Sequence, residues 1–239
     1  MWDGVAFDEG RHKLLCGTMV KRSRAKQAPR GSANARASKP VATTRAAQRA
    51  GTREQIRLAA LELFSTKGFE ETTTQAIAQR AGVAAGTVFL HASDKTDLLS
   101  LVMHDRLESA MESAFATVPE GPLVEQLMSV FRVIFAMYGE HPKLGAAFVS
   151  RFPGATGPNA ARVNMLTFGF LHRLGLLITG AQTRGEVARE LNPPACAQNV
   201  FGLYFMALLG WLSGHYTLET ALDSILRTAL DLQMRGFRA

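Results

Sequence analysis

Between positions 52 and 234 the apolar residues return every three or four positions. No stretch alternates apolar with polar residues as a half-buried strand would, and no internal repeat is visible. A chain patterned this way folds by packing amphipathic helices against one another, so the expected class is all-α. At 239 residues, 47% of them hydrophobic, it is long enough to bury a substantial core.

Start and stop signals divide the pattern into elements. Ile56, Ala59, Ala60, Leu63 and Phe64 mark a first helix, with Thr52 as N-cap, Gln55 completing a capping box and Gly68 as the stop. The run Thr72-Thr73-Thr74-Gln75 offers the cap of a short second helix carrying Ile77, Ala78 and Ala81, which Gly82-Val83 ends. A third short helix spans 85–91. Two short helices joined through a glycine turn make a helix-turn-helix. Ser93 and Asp94 then cap a longer helix that starts near Lys95 and carries Leu98, Leu99, Val102, Met103 and Leu107. Beyond the breaks at Pro119 and Gly121-Pro122, helices are expected over 123–138, 142–152, 160–183, 193–214 and 218–234.

Charge is unevenly spread. Residues 1–50 hold 11 Lys/Arg against 3 Asp/Glu, whereas 51–239 hold 16 against 17. Residues 1–50 therefore read as a basic, disordered arm on a nearly neutral body, and basic arms favour polyanionic partners. Cys16 and Cys196 stand far apart with no ligand-type spacing, which argues against a disulfide scaffold or a zinc site and fits a cytoplasmic protein. Residues 1–50 contain no apolar run of signal-peptide type. The densest apolar stretch, 200–212, is shorter than the roughly 20 residues of a membrane span and reads as a buried or interface helix, so no membrane partner is expected. GxSxG, HExxH, P-loop and GxGxxG patterns are absent, so neither an enzyme nor a cofactor or metal site is expected.

The segment 52–99 reads TREQIRLAALELFSTKGFEETTTQAIAQRAGVAAGTVFLHASDKTDLL. The ordered pieces AALELFSTKGFEETT, IAQRAGV, GTVFLHASDK and DLL resemble the DNA-binding domain of the TetR family of bacterial transcription regulators. The resemblance implies a three-helix DNA-binding domain over 51–97 and a larger helical effector-binding and dimerisation domain over 98–239. It also implies a homodimer on palindromic double-stranded DNA, most often repressing, released by a small-molecule effector. Thr74, Gln75, Thr87, Phe89, His91 and Lys95 then face DNA. Independently, Ala84, Ala85, Gly86 and Thr87 are small enough to let a helix backbone approach the major groove. Phe89 stands where the family commonly has a phosphate-binding tyrosine, and Ala92 where it has an aromatic. Ala84 replaces a serine cap worth about 1 kcal/mol.

In the second half, Phe115, Met128, Phe131, Phe135, Phe148, Met165 and Phe168 form a large apolar set. Most such side chains serve the core. The resemblance adds a pocket between helices, which Phe and Met would suit to an apolar or aromatic ligand. His172, Arg132, Arg162 and Arg173 are candidate polar anchors for it. For the dimer interface the last two helices are the expected elements, through Phe201, Phe205, Leu209, Leu222, Ile225 and Leu226.

Overall fold

The computed structural model describes residues 41–237. Among them α-helices follow one another as α1 (Val41–Thr66), α2 (Thr74–Arg80), α3 (Ala85–Val88), α4 (Lys95–Ala116), α5 (Leu123–Glu140), α6 (Pro142–Arg151), α7 (Pro158–Thr183), α8 (Pro193–Leu212) and α9 (Arg227–Phe237), the last entered through a π-helical segment, Thr220–Leu226. No strand occurs among the described residues, and the all-α expectation holds.

The helix starts show what local chemistry settles. Thr73 caps α2 by accepting from the Ala76 amide at 3.1 Å. At the other end of α2, Gly82 takes φ +69°, and the Val83 and Gly82 amides donate back to the Ala78 and Gln79 carbonyls, a glycine-dependent helix stop. Asp94 caps α4 by accepting from the Asp97 amide at 2.8 Å. Two elements differ from expectation. α1 begins at Val41, so Thr52 is no cap: it lies inside the helix, its hydroxyl donating to the Gln48 carbonyl at 3.0 Å. Ala, Arg and Gln dominate residues 45–50 and favour helix strongly enough to run through Gly51, whose cost is about 1 kcal/mol. Positions 41–50 of the expected arm are thus helical, while 1–40 lie outside the described residues. α3 is also shorter than 85–91, closing in turns where Leu90 and His91 donate to the Thr87 and Val88 carbonyls.

α4 organises the rest. It packs against α1, α5, α6 and α7, and Leu98, Leu99, Leu101, Val102 and Met103 are almost fully buried as a result. It runs without a break from the helix-turn-helix into the helices behind it, so both share one hydrophobic core. α8 is long and apolar enough by composition to cross a membrane. Its Cys196, Ala197, Val200, Tyr204, Ala207 and Leu208 are nonetheless buried, on a helix packed against α7, α6 and the final helical segments.

Candidate nucleic-acid interface

Ile77, Ala78 and Val88 are buried together with Ile56, Ala60 and Phe64 of α1. That apolar contact holds α2 and α3 at their mutual angle. It leaves Gln75, Ala84, Ala85 and Gly86 exposed, with Thr74 and Thr87 half-buried beside them. Gly86 is informative because the fold does not need it. Its φ is not left-handed, and a Cβ built there would meet no protein atom within 4 Å. A glycine kept in a helix without internal cause, at about 1 kcal/mol against alanine, fits a surface that another molecule approaches closely. Phe89 and Leu90 follow at 53% and 70% exposure, large apolar side chains left in solvent at the same tip. Leu90 was missing from the expected contact set; its position inside the GTVFLH motif was the available signal.

Two expected contacts sit differently. The Lys95 ammonium donates to the Phe69 and Glu70 carbonyls at 2.9 and 3.2 Å and lies over the Phe69 ring at 4.4 Å, so it ties α4 to the loop after α1. His91 is half-buried. Burial, then the charges of Arg49 and Arg53, hold its imidazole below the usual histidine range. That coupling places His91 close to α1, where Arg45, Arg49 and Arg53 occupy successive turns of one face.

These three arginines differ from other cations of this half of the molecule. Arg57 pairs with Glu54 at 2.6 Å and Asp105 at 3.5 Å, Arg80 with Glu62 at 2.7 Å, Arg106 with Glu140 at 2.7 Å, and Arg151 with Glu70. Among the described residues, Arg45, Arg49 and Arg53 have no carboxylate within ion-pairing distance. Arg45 and Arg49 are exposed, and one Arg53 guanidinium nitrogen is buried without a hydrogen-bond partner. The uncompensated positive charge lies beside the motif on α1.

Behind the motif is a buried polar junction. Asp97 is fully buried in the first turn of α4. Its carboxylate accepts from the amides of Ser93 (3.0 Å), Asn159 (2.9 Å) and Ala160 (2.9 Å), and from Asn159 Nδ2 at 3.0 Å. Asn159 Nδ2 also donates to the His91 carbonyl at 2.8 Å. The first amides of α7, which lack partners within their own helix, are thereby satisfied by α4, and both are tied to the end of the motif. Gly157 at φ +115° permits the contact: a Cβ there would come within 2.6 Å of Asp97 and Ser93. Asp97 and Asn159 were not expected as a pair, since they lie 62 positions apart.

The helical body separates the expected pocket residues into two groups. Phe131 and Phe135 are fully buried. They join an aromatic stack in which Phe131 lies 4.8 Å from Tyr204 and Phe135 5.5 Å from Trp211. Phe115 meets Phe170 at 5.6 Å, and Met128 is core. Phe148 lines a cavity of about 30 Å³ with Leu107, Tyr138, Phe170 and Tyr204 among its neighbours. Met165 and Phe168, by contrast, are 70% and 65% exposed, and His172 is exposed as well. α7 is apolar on two sides, and helical spacing cannot say which side turns inward: the buried one is Val163, Phe170, Leu174 and Ile178. The expected anchors also stay outside the cavity lining, for Arg132 pairs with Asp223 and Arg173 with Glu112 at 2.7 Å.

Met165, Phe168 and Leu176 form an exposed stripe on α7, and Met206 is exposed on the adjoining α8. Phe201, Phe205, Leu209 and Leu222 are half-buried, and Ile225 is exposed. Leu226 is completely buried within the chain and is therefore no surface contact. The π-helical offset over Thr220–Leu226 shifts which residues of that segment face inward, which a regular 3.6 period does not foresee.

A helix-turn-helix with a small-residue face, packed on a larger helical body, defines a DNA-binding transcription regulator of the one-chain, ligand-sensing type. Residues 56–102 match the family model described as bacterial regulatory proteins, tetR family. The "Fatty acid metabolism regulator protein" of Bacillus subtilis is 25% identical over 184 residues, covering 76% of this chain and 93% of that one. The "HTH-type transcriptional repressor BepR" of Brucella suis is 29% identical over 176 residues, covering 70% and 84%. The crystal structure of Thermus thermophilus FadR, a TetR-family repressor in complex with lauroyl-CoA, superposes with a TM-score of 0.60 at 24% identity, covering 74% of this chain and 93% of that one, and so shares the fold. The chain belongs to the TetR family of transcriptional regulators.

Proposed function

We propose that the protein is a homodimeric repressor that reads an inverted repeat through α3 and leaves it when an apolar effector enters the helical body. The carrying observation is the exposed Ala84-Ala85-Gly86 surface, where glycine serves no internal packing or backbone need. Thr87 offers a hydroxyl to phosphate or a methyl to thymine, and Phe89 and Leu90 supply apolar contact. The expected result of footprinting on the protein's own upstream DNA is protection of two half-sites about one helical turn apart. Gly86→Gln should keep the fold, since nothing crowds the position, yet weaken operator binding at least tenfold. Normal protection by this variant would remove α3 from the groove.

The stripe Arg45-Arg49-Arg53 supports a second contact, with the phosphates flanking that groove. Each phosphate neutralised contributes about 0.9 to the slope of log K against log salt. Arg45→Gln with Arg49→Gln is expected to flatten the slope by about 2. Lys143→Gln, an exposed lysine on α6, should leave it unchanged. Equal slopes for the arginine variant and the parent would show that α1 stays clear of DNA.

The effector reading rests on the aromatic interior and on the acyl-CoA bound in the structural neighbour. At about 30 Å³ the cavity admits no chain as it stands. Entry must part α4, α7 and α8, whose side chains Leu107, Val163, Phe170, Phe201 and Tyr204 meet there. Moving α4 against α7 acts directly on the Asp97–Asn159 junction and hence on the motif. A ligand shifts the regulator only by its preference for the parted arrangement. The exposed α7–α8 stripe is the proposed pairing face, because large apolar side chains this concentrated mark an interface.

A further inference from the structure

The cavity contains two polar groups that the fold leaves unsatisfied. Tyr138 and Tyr204 both line it, at 3% and 5% exposure. Neither hydroxyl makes a hydrogen bond within the described residues. They are near enough for the Tyr138 phenol to influence that of Tyr204, and burial pushes both above the usual tyrosine range. Both therefore remain protonated donors at any physiological pH. Buried hydroxyls in native folds find partners as a rule. The remaining lining is Leu107, Met111, Val163, Leu208, one threonine and phenylalanines, with no Lys, Arg or His.

We propose that Tyr138 and Tyr204 form the polar end of the effector site and together grip the carbonyl oxygen of a neutral acyl compound, a thioester or ester, while rejecting the free carboxylate. The proposal rests on the effector reading above and specifies its ligand. Two O–H donors match the two lone pairs of one carbonyl oxygen. A carboxylate would bring a full charge into an interior that offers no cation, a cost far above that of a neutral acceptor. The aromatic walls take the hydrocarbon chain, and Phe152, Thr167, Phe201 and Phe205, all half-exposed, form the rim through which a bulky or charged remainder of the molecule would protrude.

The full chain is titrated with methyl laurate, lauroyl-CoA and sodium laurate, followed by calorimetry and thermal melting. Both neutral carbonyl compounds are expected to bind and raise the melting temperature, with laurate at least tenfold weaker. Tighter binding of lauroyl-CoA than of the methyl ester would assign the thioester as the source, and the reverse order the simple ester. Tyr138→Phe and Tyr204→Phe should each weaken the ester about three- to tenfold, the value of one hydrogen bond. Without ligand they should melt at or above the parent temperature, since neither hydroxyl has a partner to lose. Laurate binding as tightly as the ester, undiminished ester binding by both variants, or a clear drop in their unliganded melting temperature would each overturn the assignment. Failure of all three compounds to bind the parent would overturn it too, and would leave the operator footprint, measured without effector, to judge the DNA-binding reading separately.

Discussion

Asp97→Ala is expected to destabilise the fold by at least about 3 kcal/mol, read as a lower urea midpoint with an unchanged slope. The magnitude follows from the donors left behind. The amides of Ser93, Asn159 and Ala160 and the Asn159 side chain all point at the carboxylate, and removing an acceptor from a buried donor costs about 1–3 kcal/mol each. Water cannot easily replace the lost oxygens, because Gly157 presses against the site closely enough to exclude even a Cβ. Against a total stability of about 5–15 kcal/mol this is a large fraction. Asp97→Asn retains shape and one acceptor oxygen and should lose less. Among molecules that remain folded, Asn159 no longer has a fixed partner, so its hold on the His91 carbonyl loosens and operator affinity falls as well. A variant as stable as the parent would show that the junction is incidental to the fold.

The largest effect on function is expected at the exposed apolar stripe. Phe168→Glu combined with Met206→Glu should convert the dimer to a species of about 26 kDa in sedimentation and weaken operator binding at least about a thousandfold. Both side chains are more than 60% exposed, so neither substitution removes core packing. In a dimer, however, each glutamate would be buried without a partner, facing its own symmetry mate. Specific operator complexes of this kind form with dissociation constants of about 10⁻⁸–10⁻¹¹ M. If each half-site supplies half of that free energy, a single subunit retains affinity only in the range of tens of micromolar or weaker. An unchanged sedimentation coefficient would move the pairing face elsewhere, with Ile225 and Leu232 the remaining exposed apolar positions near the chain's end.

Much of the site was legible before any coordinates. Thr73, Gly82 and Asp94 act within a few residues of themselves, so the chemistry that starts and stops α2 and α4 is written locally. Spacing also identified Ile77, Ala78 and Val88 as the packed side of the motif, and small residues as its open side. Where expectation missed, the deciding contact was remote or the pattern was ambiguous. α1 ran on past Thr52 because a capping residue inside a strong helix-former run simply joins the helix. Lys95 turned to the Phe69 and Glu70 carbonyls, acceptors some 25 positions away that only the loop's placement brings near.

Local sequence thus determined the helices, their ends and the helix-turn-helix with its open face, because each depends on hydrogen bonds and apolar spacing within one or two turns. Tertiary structure alone decided which side of α7 became core and which became surface. It also decided that Asp97 would find Asn159, and that Tyr138 and Tyr204 would meet as unsatisfied donors in one cavity. These depend on how helices distant in sequence lie against each other, and a helix apolar on two sides carries no instruction about which side its neighbours will cover.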